Sequence, residues 1–241
     1  MGVRELGIKY IFDVDGTLTP SRSEIDHDFA VFFSTFCAEN EVYLVTGSDR
    51  AKTVEQVGEE IYSLCKRVYN CSGSDVWEGE TNIRTQDWKI PYHVKTFLEN
   101  KLEESDFALR TGNHIEQRPG MINFSIVGRN ATLGERKLYV EYDTKYSERN
   151  LIADLFNIEF ASLEARPGGE TGIDISPKGA DKSQILVDFD STDVLHFFGD
   201  RMDIAGNDYP LSKVIVDNNL GFCYNILNYK QTWSILKNER T

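Results

Sequence analysis

The chain has 241 residues, 40% of them hydrophobic, enough to bury a core of its own. Acidic residues outnumber basic ones 39 to 26, a net charge of −13 that disfavours a general nucleic-acid binder, since nonspecific binding to phosphate backbones draws on Lys and Arg. The opening MGVRELGIKYIF holds no apolar run of signal-peptide or membrane-spanning length, and Cys37, Cys65, Cys71 and Cys223 form no C-x-x-C pair. A cytoplasmic chain with reduced thiols and no membrane partner is therefore expected.

The first 75 residues alternate short apolar runs with helical patterns. GIKYIFDVD reads as a strand, and EIDHDFAVFFSTFCAEN as a helix with Ile25, Phe29, Phe32 and Phe36 on one face. EVYLVTGSD is a second strand, AKTVEQVGEEIYSLCKR a second helix and RVYNCSG a third strand. This β-α-β-α-β rhythm predicts a parallel sheet with helices packed on it.

The middle differs. FALRTG, NHIEQR and MINFSIV alternate at close spacing, with a Pro119-Gly120 turn between two of them, and predict an antiparallel sheet. Helices are expected at PYHVKTFLENKLEES and YSERNLIADLFNIEF, and a further strand pair at FASLEARPG and TGIDISP. The last 60 residues return to the first rhythm: DKSQILVDF as a helix, VLHFFGD as a strand, KVIVDN and GFCYNI as short strands. The expected fold is α/β, a Rossmann-like core with a parallel sheet made of residues 1–80 and 181–241. An inserted α+β domain with an antiparallel sheet occupies residues 81–180.

In open α/β sheets, reactive groups gather beyond the carboxyl ends of the strands. Four segments deliver polar residues there: Asp13 and Asp15 after the first strand, Thr46-Gly47-Ser48-Asp49 after the second, Lys182 at a helix start, and Gly199-Asp200 after a late strand. Residues i and i+2 of an extended segment point the same way, so Asp13 and Asp15 can face one ligand. Two carboxylates plus Asp200 make a hard, oxygen-rich site suited to Mg²⁺. With the charge neutralised, one carboxylate can attack phosphorus while its neighbour moves the proton. Lys182 supplies positive charge to the transferring group, and Thr46 or Ser48 a hydroxyl donor.

FDVDGTLTPSR, LVTGSD, GADK and FFGDRMDIAGND resemble the four motifs of the haloacid dehalogenase (HAD) superfamily, and the inserted segment is similar to the large α/β (C2B-type) cap of eukaryotic-type phosphomannomutases. In HIEQRPGMINFSIVGRNATLGER, the run containing Asn123 resembles that family's R-x-G-M-x-N…G-R pattern. Arg118, Arg129 and Arg136 stand eleven and seven residues apart, as do the family's cap arginines. The resemblance implies that these arginines grip the second phosphate of a sugar bisphosphate, and that Arg22 takes the place of the family's core-domain arginine. Guanidinium forks suit that task, since they bind phosphate bidentately.

The family's Gly-Gly pair is kept at Gly168-Gly169 and its sugar-binding Asp at Asp174. Gly172 stands where the family has Ser, with Thr171 beside it as a substitute hydroxyl. The implied function is interconversion of mannose 6-phosphate and mannose 1-phosphate, a step feeding GDP-mannose synthesis, with a hexose 1,6-bisphosphate as activator. Asp13 is the implied nucleophile and Asp15 the acid and base. The implied Mg²⁺ set is Asp13, the Asp15 carbonyl, Asp200 and a water bridge from Asp208. A homodimer through the cap is also implied. A sugar-phosphate phosphatase on the same fold and an inactive sugar-phosphate sensor stay open as alternatives.

Overall fold

The computed structural model describes residues 7–20, 23–204 and 206–239, which form two compact units. One combines the chain ends, through Thr85 and from Gly179 onward; the other is Gln86–Lys178.

The first unit runs β1 (Ile8–Phe12), α1 (His27–Glu39), β2 (Val42–Val45), α2 (Arg50–Val57), α3 (Glu59–Leu64), β3 (Arg67–Asn70), β4 (Asp75–Glu78) and β5 (Thr81–Thr85). In the second unit come α4 (Tyr92–Glu104), β6 (Ile115–Arg118), β7 (Met121–Phe124), α5 (Leu133–Tyr146), α6 (Glu148–Glu159), β8 (Leu163–Gly168) and β9 (Gly172–Pro177). The first unit then resumes with a 3-10 segment (Lys182–Asp188), β10 (Val194–Gly199), α7 (Tyr209–Asp217), β11 (Gly221–Asn225) and α8 (Tyr229–Glu239).

Its seven-stranded sheet has the order β11-β10-β1-β2-β3-β4-β5. The first five of these run parallel, and the β4–β5 hairpin is antiparallel at one edge. Neighbouring residues of β1 point to opposite faces, and both faces are covered. Phe12 joins Phe29, Phe33 and Phe36 of α1 and Leu236 of α8, whereas Ile11 joins Leu211 and Ile215 of α7 and Ile185 of the 3-10 segment. Strands buried on both sides need continuous apolar runs, which is why β1, β2 and β10 read so plainly.

Several expectations change. Residues 81–85 pair with β4 in the first unit's sheet, so the inserted unit begins at Gln86 and ends at Lys178 instead of spanning 81–180. KVIVDN lies in α7 and its cap, not in a strand: Pro210 opens the helix and Leu211 and Ile215, one turn apart, are buried. FALRTG forms no strand, because the Arg110 guanidinium donates to the carbonyls of Leu102 and Ser105, both 3.0–3.1 Å away, and gathers this stretch into a loop. AKTVEQVGEEIYSLCKR is two helices, broken at Gly58, whose φ of +82° a side chain would resist. Phe33 is buried at the centre of α1, and Phe32 packs only partly against the core. DKSQILVDF winds as 3-10 turns.

In the inserted unit the sheet order is β6-β7-β9-β8, antiparallel throughout. Alternation sorts its faces. Ile122, Phe124, Ile173, Ile175, Leu163 and Ala165 pack with Phe156 of α6, Tyr139 of α5 and Leu98 of α4. The other face carries a polar row in direct register, Glu116, Asn123, Asp174 and Arg166.

Candidate active site

Asp13 directly follows β1, and its backbone N–H donates to the Phe198 carbonyl of the adjacent β10. One residue past the end of β10 stands Asp200, so both carboxylates sit at neighbouring strand ends. Between them the chain must turn tightly: Gly16 has a φ of +82°, and a Cβ on it would lie 2.3 Å from an Asp200 carboxylate oxygen. Glycine is required here on both counts.

Asp181 caps the 3-10 segment through the Ser183 N–H and sets Lys182 at its start. The Lys182 ammonium is fully buried and donates to Asp13 Oδ1 at 2.5 Å and to Asp208 Oδ1 at 2.7 Å. Asp208, also fully buried, accepts from the Arg201 N–H through its other oxygen. Burial works against the charge on Lys182, but Asp13 and Asp208 outweigh it and its pKa is raised. Burial lifts the Asp13 carboxyl well above the ordinary carboxylate range; Asp208 and Asp200 add to this and Lys182 opposes it. Asp200 is pushed up to about 6, by burial first and then by Asp208.

Asp13, Asp200 and Asp208 each offer an oxygen within 4.8 Å of the others. Ionised, they outweigh Lys182 by two negative charges in a desolvated site. The donor set, all hard oxygen and in excess by the charge of one divalent cation, fits Mg²⁺.

The remaining predicted core residues divide. Asp15 accepts at Oδ1 from the Gln56 side-chain amide, 2.9 Å away. Thr46 and Ser48 follow β2 on the same sheet edge, where the buried Thr46 hydroxyl accepts from the Ser48 N–H at 3.1 Å. Carbonyls of both receive N–H groups of the turn after β3, from Ser72 and Cys71. Arg22 lies outside the described residues.

Within the inserted unit, one chain of contacts joins four predicted residues. Glu116 accepts from Arg118 at 2.6 Å and forms an ion pair with Arg129 at 3.0 Å. Arg129 also donates to Asn123 Oδ1 at 3.2 Å, and the Asn123 amide donates to Asp174 at 2.6 Å. Arg136, in the first turns of α5 behind a Thr132–Glu135 capping box, pairs with Glu170 at 3.5 Å. Gly172 lies beside Asn123: a Cβ there would be 2.5 Å from its amide nitrogen, so no serine fits against this Asn123 rotamer.

Three residues of these networks, Glu116, Gln56 and Arg149, are not among the site residues expected from the sequence. Glu116 could have been found from its spacing to Arg118, two residues along one strand face. Gln56 gives no comparable signal. Arg149 anchors the β8–β9 turn by donating to the carbonyls of Gly169 and Gly172 while bonded to Asp143; only its exposed-looking place at a helix start is visible in the letters.

A buried aspartate at the tip of a central parallel strand, beside a buried lysine, an acid on the neighbouring tip and a third at the start of α7, in a core interrupted by a second α+β unit, defines the fold of the HAD superfamily. A haloacid dehalogenase-like hydrolase from Bacteroides thetaiotaomicron has the same fold, with a TM-score of 0.54 over 87% of this chain and 85% of that one at 14% identity. The family model for eukaryotic phosphomannomutase matches residues 29–238. This chain is 33% identical over 210 residues to a phosphomannomutase of Galdieria sulphuraria, covering 83% of each, and 32% identical over 233 residues to phosphomannomutase 1 of Mus musculus, covering 86% and 84%. The chain belongs to the eukaryotic phosphomannomutase family.

Proposed function

We propose that this enzyme interconverts mannose 6-phosphate and mannose 1-phosphate through a phosphorylated Asp13. The observation that carries this reading over a phosphatase is the family match across both units, residues 29–238.

A carboxylate oxygen of Asp13 attacks phosphorus of a hexose 1,6-bisphosphate, the P–O bond to the sugar breaks, and the leaving oxygen takes a proton from Asp15. The monophosphate so formed gives way to a substrate monophosphate, which presents its free hydroxyl at Asp13. Asp15 removes the proton from the hydroxyl there, whose oxygen attacks phosphorus and returns Asp13 to a free carboxylate. Lys182 holds Asp13 in place and offsets the charge around the transferring group. Asp13, Asp200, Asp208 and the Asp15 carbonyl would hold Mg²⁺, which when bound adds positive charge at the phosphoryl oxygens.

Arg118, Arg129 and Arg136 bind the phosphate that is not at Asp13. They read a phosphate and not a sugar face, so they accept the hexose in either orientation. Asn123, Gly172 and Asp174 contact the sugar. The same proposal includes a cytoplasmic homodimer paired through the inserted unit. Four unpaired cysteines support a reducing compartment, and no helix among the described residues is long and apolar enough to cross a membrane.

The test supplies mannose 1-phosphate, Mg²⁺ and catalytic glucose 1,6-bisphosphate and follows mannose 6-phosphate and free phosphate together. Mannose 6-phosphate with little free phosphate is the expected result. Dominant phosphate release would make the protein a phosphatase, and neither product would leave a sensor.

A further inference from the structure

Gln56 is 1% exposed, on the α2 face that also buries Thr53 and Val57. Its amide nitrogen donates to Asp15 Oδ1 at 2.9 Å and to Thr19 Oγ1 at 3.3 Å. Its amide oxygen is buried with no hydrogen-bond partner among the described residues. A buried, unpaired acceptor costs about 1–3 kcal/mol. Methionine or leucine would fill the same space without that cost, so packing does not account for an amide here.

Its N–H end does. Asp15 and Thr19 are the two ends of the turn that follows β1: they form a bridge, and the Gly16 N–H donates to the Thr19 carbonyl at 2.8 Å. Gln56 spans both ends with its two N–H groups. Its own place is fixed twice over. Its backbone carbonyl accepts from the Ile25 N–H at 2.8 Å, and α2 starts from Asp49, whose side chain caps the Lys52 N–H at 2.9 Å.

Asp13 needs no such help, because Lys182 holds it. Asp15 is only partly buried, and a carboxylate on a turn samples several rotamers unless something selects one.

We propose that Gln56 is a positioning residue that holds the Asp15 carboxylate in the orientation from which it exchanges a proton with the sugar oxygen. This rests on the acid–base role given to Asp15 in the proposed function. The amide touches neither the phosphoryl group nor the sugar; it acts through Asp15.

A leaving group that departs without a proton separates this role from a merely structural one. In the full chain with Mg²⁺, Gln56→Met should lower kcat for hexose phosphate roughly tenfold to hundredfold, the scale of a small misplacement of a reacting group, with KM within about twofold. Its first-turnover release of p-nitrophenolate from p-nitrophenyl phosphate should stay within about threefold of wild type, since that step draws little on general acid catalysis. In an Asp15→Ala background, adding Gln56→Met should change neither rate further.

Equal losses on both substrates, an unchanged hexose rate, or a further loss in the Asp15→Ala background would each overturn the proposal. Gln56→Leu carries the same comparison if the methionine variant does not fold. If the wild type releases phosphate from hexose phosphates instead of transferring it, the mutase reading fails, while the Gln56 comparison is made with water as acceptor and stands or falls by itself.

Discussion

Replacing Lys182 with methionine removes a cation bonded to two buried carboxylates. Its ammonium makes contacts of 2.5 and 2.7 Å to Asp13 and Asp208, and all three side chains are almost or fully buried. Breaking a buried pair from one side costs about 3–5 kcal/mol, because the partner charge is left desolvated and unpaired. At about 2–4 °C per kcal/mol for a chain of this size, melting in excess chelator should fall by roughly 6–20 °C. With two units the melt need not be a single transition, and the shift belongs to the unit built from the chain ends. Magnesium should narrow the gap. Without the ammonium, three carboxylates face the ion alone, and a ligand at a hundred times its Kd stabilises by about 2.7 kcal/mol. Thermal melts followed by circular dichroism, with chelator and with saturating Mg²⁺, give both numbers. A variant that melts with the wild type in chelator, or whose gap is the same with magnesium, would refute the account of a charge-balanced buried cluster.

Arg136→Ala should weaken use of hexose phosphate roughly tenfold to hundredfold, the worth of one charge-assisted hydrogen bond at about 1.5–3 kcal/mol, and leave p-nitrophenyl phosphate turnover unchanged; equal losses on the two substrates would make Arg136 structural. Divalent-cation affinity, followed by calorimetry, should fall as pH drops through about 6. The folded Asp200 carboxyl is pushed up to about 6, so protons compete with the ion there. For the metal-free protein the sign is the reverse: a raised carboxyl pKa contributes stability that is present below its unfolded value, about 4, and lost as pH rises through about 6. Affinity flat from pH 5 to 7 would count against ligation by Asp200.

The strands bearing Asp13 and Asp200 could be read because each is an apolar run that stops at a polar motif, as a strand buried on both faces must. Lys182 was visible from its place in the order, after Asp13 and the Thr46–Ser48 segment and before Gly199-Asp200. α5 was not: it buries little more than Tyr139 and Asp143, too thin a stripe to stand out by period. The β4–β5 hairpin escaped for a related reason, since β5 is mostly exposed and polar, and an edge strand needs no apolar run. KVIVDN misled because a short β-branched run is compatible with either a strand or a buried helix face. Contacts between distant residues lay furthest from view. Gln56 is 41 residues from Asp15, and no spacing rule links them.

β1 lies between β2, which follows it at once, and β10, which begins at Val194. During synthesis, therefore, the unit holding Asp13 cannot close when its first half emerges. One side of its central strand stays unpaired while the whole of Gln86–Lys178 is made, and that continuous stretch has every strand of its own sheet to hand. Domains complete in the order their parts leave the ribosome. The inserted unit is thus the first able to finish, and Lys182, Asp200 and Asp208 reach Asp13 only when the segment that follows it arrives. The reactive centre is assembled only after the inserted unit has been made, and a product truncated before Lys182 carries Asp13 without the residues that hold it.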